Sequence, residues 1–136
     1  MRLHRLKILV MRRNNPVVKI NDHLIGEGRY ILGGQEWDMS TLINATEGLP
    51  VFDLQLAALD LSVYPWGNDG KTLMSFLYHF KRIKKVNLSN PVIMDPTGYI
   101  IDGWHRVAKA IINGKTTIKA IRLLVMPEPD VIKTKD

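Results

Sequence analysis

The residues whose types and spacing could do chemistry crowd into one stretch, Asp102-Gly103-Trp104-His105-Arg106-Val107-Ala108-Lys109. Val107, Ala108 and Ile111 mark the helix that this stretch opens, so Asp102 stands where a carboxylate can accept a bond from a free backbone N–H. A helix N-terminus carries unpaired N–H groups and about half a positive charge, which makes it a ready anion site. Gly103 lets a ligand come close to the backbone. His105 and Arg106 add donors in the first turn, and Lys109 follows one turn on. Cations normally complement the other end of a helix, so gathering them here costs stability unless an anion sits among them. The expected chemistry is phosphate binding by Gly103, His105, Arg106 and Lys109. A plainer reading competes, in which Arg106 and Lys109 are a solvated face and Asp102 is only a cap.

The elements that must position these residues follow from local pattern. Val92–Met94 and Tyr99–Ile101 flank Asp95-Pro96-Thr97-Gly98, where proline presets φ and glycine supplies the positive φ of a turn. That predicts a hairpin leading into a helix over 103–113, stopped by Gly114, and then a strand over 117–125. Residues 71–86 hold the strongest helical period. Leu73, Phe76, Leu77, Phe80 and Ile83 form one stripe, expected to face the core, with Thr72 or Asp69 as the cap. Lys81, Arg82, Lys84 and Lys85 crowd its last turns, where they complement the dipole and are also the candidate nucleic-acid contacts. His79 lies beside the stripe and reads as a packed or surface histidine.

Phe52, Leu54 and Leu56 alternate with Asp53 and Gln55, the period of a half-buried strand, which Leu59–Val63 would extend. A loop over 64–70 then carries Trp66, Asn68 and Asp69. Residues 1–49 read as a β-rich extension, with β-like runs at 6–11 and 17–20. A hairpin is expected between 23–25 and 30–32 around Gly26–Arg29, with Gly33-Gly34 ending it. A short helix follows over 39–46, capped by Asp38 or Ser40. Arg2, Arg5, Lys7, Arg12 and Arg13 are either a phosphate-contacting arm or a solvated surface. The tail, 126–136, is Pro-rich and charged and is expected to be loose.

With 136 residues the chain is long enough for one domain with a real core. No apolar run approaches the ~20 residues that span a bilayer. The basic-then-apolar start lacks a small-residue cleavage site. A cytoplasmic location and no membrane partner are therefore expected. Zero cysteines exclude disulfides, thiolate metal sites and cysteine catalysis. A net charge of +6 favours anionic partners. Asp102 and His105 can share a face, but no third ligand is visible, so no dedicated metal site is expected. No serine sits in a nucleophile-elbow context.

The segment IDGWHRVAKAIINGKTTIKAIRL resembles the signature of the ParB/sulfiredoxin superfamily. Its members share a Gly-x-x-Arg-x-x-Ala-like core at a strand-to-helix junction, here Gly103, Arg106 and Lys109-Ala110. The similarity is to short ParB-like proteins with an Asp-Gly-x-His-Arg form, often found on phages and mobile elements, and covers residues 50–124. It implies an α+β domain over 50–125, a small mixed sheet with two main helices packed on it. It also implies that the loop holding Trp66, Asn68 and Asp69 lies near the ligand. Superfamily members include CTP-dependent DNA clamps, an ADP-dependent serine kinase and proteins reported as nucleases or ATPases. This chain departs from two of them. Trp104 stands where a sulfiredoxin carries its catalytic cysteine, and the Arg-rich form of the clamp-forming members and a separate helix-turn-helix domain are both lacking.

The expectation is a nucleotide tri- or diphosphate with Mg²⁺, held by Gly103, His105, Arg106, Lys109, Trp66 and Asp69. Phosphoryl transfer mainly needs positioning and charge neutralisation, with Asp102 and His105 as candidate catalytic residues. The alternative is a non-enzymatic phage or plasmid accessory protein, binding DNA or a host protein.

Overall fold

A computed structural model describes residues 15–21, 28–67 and 70–134. Among them run β1 (Arg29–Leu32), β2 (Gln35–Asp38), α1 (Met39–Ala45), β3 (Phe52–Gln55), a 3₁₀ turn (Leu56–Ala58), α2 (Leu73–Lys85), β4 (Val92–Met94), β5 (Ile100–Asp102), α3 (Trp104–Ile112), β6 (Thr117–Arg122) and β7 (Val131–Ile132). The fold is mixed α+β. One sheet is ordered β3-β6-β4-β5 and a smaller one β1-β2-β7. β4 and β6 run parallel, and the other pairs are antiparallel.

The larger sheet is covered on both faces, which is why all three residues of β4 are buried. Alternation along the strand sends Val92 and Met94 to one face, where they pack with Val107 and Ala110 of α3 and Ile118 and Ala120 of β6. Ile93 goes to the other face and meets Trp37, Leu42, Ile101 and Leu123. The expected hairpin forms. Asp95 Oδ1 accepts bonds from the backbone N–H of Thr97 and Tyr99 and from the Thr97 hydroxyl, closing the turn from within.

Several expectations are corrected. Most of the apolar stripe of α2 does not face the core, although Leu77 and Ile83 are half-buried. Leu73, Phe76 and Phe80 are 73%, 55% and 44% exposed, while Ser75, Tyr78 and His79 are buried. Two helices pack through polar and aromatic groups here, and Ser75 is tolerated inside because it closes a capping box with Thr72. Within the described residues the tail is tied down. β7 pairs with β2, Pro127 C=O accepts from Trp37 Nε1 at 2.8 Å, and Asp130 accepts from Asp38 N–H and the Thr41 hydroxyl. Asp38 takes the N-cap position of α1 but makes no side-chain cap bond, and Asp130 accepts its backbone N–H instead. Gly33-Gly34, expected to end a hairpin, is itself the turn between β1 and β2. Both glycines take positive φ, 57° and 81°, as a two-residue hairpin turn demands. The expected partner strand at 23–25 lies outside the described residues, as do residues 1–14. Finally, Val17–Ile20 and Leu59–Val63, expected to be β-like, take no strand. No described helix is long and apolar enough to cross a membrane.

Candidate functional site

α2 packs against α3, and the contact between them is chemical rather than greasy. His79, 2% exposed on the inner side of α2, places its Nδ1 2.7 Å from Nε2 of His105 in the first turn of α3. Trp66, from the loop before α2, stacks on both rings, with centroids 4.2 Å from His79 and 4.6 Å from His105 and planes tilted 13° and 24°. The indole thus roofs an imidazole pair joined by one hydrogen bond, in which one ring donates and the other accepts. Burial first, then the positive charge of Arg82, the neighbouring His79 and Arg106, push the His105 pKa down to about 3. His105 is neutral at physiological pH. It can accept or donate a hydrogen bond to a ligand but brings no charge.

Arg106 is committed to the fold. Its Nη2 donates to Asp102 Oδ2 at 2.8 Å, and its Nη1 donates to the carbonyls of Asn90 and Pro91 at 3.1 and 2.9 Å. One planar guanidinium therefore ties the N-terminus of α3 to the start of β4, a fork that lysine could not replace. Asp102 is accordingly not the helix cap. It ends β5, its carboxylate turns to Arg106, and Gly103 occupies the cap position without a side-chain bond. The expectation for Gly103 also changes. Its φ is +112°, and a Cβ there would lie 2.5 Å from Val92 Cγ1. Glycine is required by the strand-to-helix turn and by close packing on β4, whether or not a ligand approaches. Lys109 reaches away from the start of α3. Its ammonium donates to the carbonyls of Lys84 and Val86 at 3.2 and 2.7 Å, capping the C-terminal end of α2.

Two clefts open on this junction. One, of about 580 Å³, is lined by Tyr30, Tyr64, Trp66, Arg82, Gly103 and His105 among others. The second, of about 600 Å³, lies on the other side of the helix start, where Arg82, Asp102, Gly103 and His105 recur beside Asn87, Asn90 and Arg106. Arg82 thus belongs to both clefts, as does the first turn of α3, whose leading N–H groups have no acceptor within the helix. Pockets that take small ligands commonly fall in this size range.

Of the residues singled out in sequence, Asp102, Gly103, His105, Trp66 and Arg82 converge on the clefts. Arg106 lines the second cleft while held by its three acceptors, and Lys109 lines neither. Asp69 and Asn68 lie outside the described residues. Arg82 departs from Lys81, Lys84 and Lys85, which lie at i, i+3 and i+4 on one side of α2. Arg82 faces the clefts, Lys84 sits 5.6 Å over the Phe80 ring, and Lys81 lines a groove with Val17–Ile20. Sequence reasoning missed His79 and the two tyrosines. A signal existed: Ser75, Tyr78, His79 and Arg82 repeat at helical spacing, a polar stripe opposite the apolar one. Among the described residues no group of three or more His, Asp or Glu could hold a metal ion. Compared with protein families, with curated proteins and with solved structures, the chain matches none.

Proposed function

We propose that the protein is a ParB/sulfiredoxin-like domain that binds a nucleotide by its phosphates at the start of α3. The observation that carries this reading is the convergence of Arg82 and the N–H groups of the first turn of α3 on one cleft with aromatic walls. Phosphate oxygens suit that pair, because the helix terminus supplies directed donors and Arg82 supplies full charge. Tyr30 and Tyr64 offer ring faces on which a base can stack. The resemblance of the DGWHRVAKA run to the superfamily supports the same location. Mg²⁺ fits only as a passenger of the phosphates, since the chain offers no metal cluster of its own among the described residues. Should the site carry a reaction, Asp102 is the carboxylate at hand, poised by Arg106, and neutral His105 is its neighbour. The DNA-binding alternative is weaker, because Arg82 turns into the clefts and leaves Lys81, Lys84 and Lys85 as a short basic patch.

The test is a thermal-shift titration with ATP, ADP, CTP and GTP, with and without Mg²⁺. It is run on the wild type, Arg82→Ala and Arg106→Ala. A nucleotide at a hundredfold excess over Kd stabilises the native state by about 2.7 kcal/mol. Loss of that shift in Arg82→Ala with the unliganded Tm unchanged supports the cleft. No shift for any nucleotide in the wild type overturns it.

A further inference from the structure

α2 is amphipathic with its apolar side turned out. On the other side Ser75, Tyr78 and His79 are buried, and His79 and Arg82 line the clefts. The outward side shows Leu73, Phe76 and Phe80, with half-buried Ile83 continuing the line. These four follow one another in steps of three, four and three, the spacing of the seam along which one helix takes the knobs of another. Phe76 and Phe80 stack on each other at 6.2 Å, so the strip presents a continuous aromatic ridge. Large apolar side chains kept in water along one narrow line mark a contact surface.

We infer that this face of α2 docks an amphipathic helix of another protein that carries acidic residues beside its apolar stripe. Charge complementarity selects the occupant. Residues 71–85 contain no carboxylate, and Lys71, Lys84 and Lys85 are exposed around the strip. Lys84 lies over the Phe80 ring at 5.6 Å, so a cation stands inside the apolar strip at the point where a partner's carboxylate would meet it. Carrying that cation into hydrocarbon is costly unless its head snorkels back to water, whereas a partner's carboxylate pairs with it where it stands. A second copy of this chain is disfavoured too, because pairing α2 with itself sets lysines against lysines whichever way the helices run. This inference does not depend on nucleotide binding, since the docking strip and the cleft occupy opposite sides of α2.

The experiment is selection from a displayed library of random peptides of about four helical turns, on the full chain and on a Phe76→Ser/Phe80→Ser variant. Both substitutions are at exposed positions, and circular dichroism confirms that each protein is folded. The expected result is enrichment of peptides with Leu, Ile or Phe at helical spacing and with Asp or Glu beside them. Their affinity should fall about tenfold or more on Phe80→Ser and on Lys84→Glu, and should weaken in high salt. Three outcomes overturn the proposal. One is no enrichment over the double variant. Another is enriched peptides that lack acidic residues or bind Phe80→Ser equally. The third is that sedimentation shows a dimer that Phe80→Ser makes monomeric, or co-pelleting with phosphatidylglycerol vesicles that the same change abolishes. The strip would then belong to a second copy or to a lipid surface.

Discussion

Arg106 separates two accounts of the α3 start, and replacing it by alanine reads which one holds. The resemblance makes it a ligand group, whereas the geometry makes it a strut. Alanine removes three hydrogen bonds from a charged donor, to Asp102 at 2.8 Å and to the carbonyls of Asn90 and Pro91 at 3.1 and 2.9 Å. Bonds to charged groups are worth roughly 1.5–3 kcal/mol each, but these share one group and do not add. The change also leaves Asp102, whose side chain is 25% exposed, without its cation. Breaking a fully buried pair costs about 3–5 kcal/mol, so this partly buried one should contribute toward the lower end. The expected total is about 3 kcal/mol, or about 12 °C in Tm for a domain of this size. Arg106→Lys keeps the charge but not the fork, and should recover less than half of the loss. Urea unfolding of wild type, Arg106→Ala, Asp102→Asn and the double variant gives the stabilities and the coupling between the two side chains, expected at about 1–2 kcal/mol. Arg106→Ala within about 0.5 kcal/mol of wild type, with nucleotide response lost, would refute the strut.

Three further outcomes follow from particular atoms. Gly103→Ala should cost about 3 kcal/mol or more, because φ is +112° and the new Cβ would meet Val92 Cγ1 at 2.5 Å. Gly98→Ala has a similar φ of +98° but nothing within 4 Å, so soluble yield and Tm should fall far less. Lys109→Met should lower stability by about 1–2 kcal/mol by leaving the Lys84 and Val86 carbonyls at the end of α2 without their donor. Amide exchange should quicken there first. His105 sets a pH dependence of known sign. The unfolded chain takes up a proton near the ordinary 6.5, the folded chain only near 3, so stability is whole above 6.5 and is lost as pH falls below it. A fully buried group would give about 1.36 kcal/mol per pH unit, and partial exposure should reduce that to about half. The urea midpoint of His105→Gln should therefore fall less than that of wild type between about pH 7 and about pH 5.

Much of the local structure was legible because it depends on neighbours in sequence. The Asp95-Pro96-Thr97-Gly98 turn closes on its own aspartate, Gly103 and Gly114 bracket the helix between them, and the α2 helix is announced by period alone. The chemistry-bearing stretch was legible too, since Asp102, Gly103 and His105 do converge on the clefts. Periodicity, however, shows that a helix has two faces without saying which one turns inward. That choice depended on tertiary partners: α3 offers His79 an imidazole, and Ser75, Tyr78 and His79 are buried while the phenylalanines stay outside. The tail behaved likewise. Nothing in a Pro-rich, charged segment reveals that Asp130 will accept from Asp38 and Thr41 at a helix start about ninety residues upstream or that Pro127 will accept from Trp37.

The sequence by itself determined the elements, their turns and the cluster of polar groups at one helix start, because each is set by interactions within a few residues. Only the tertiary structure decided what those groups do. It gave Arg106 and Lys109 to carbonyls brought from other elements, set His79 against His105 under Trp66, and turned Arg82 into the clefts. Hydrogen-bonding capacity is visible in a residue type, but which partner uses it depends on what the fold carries within about 3 Å.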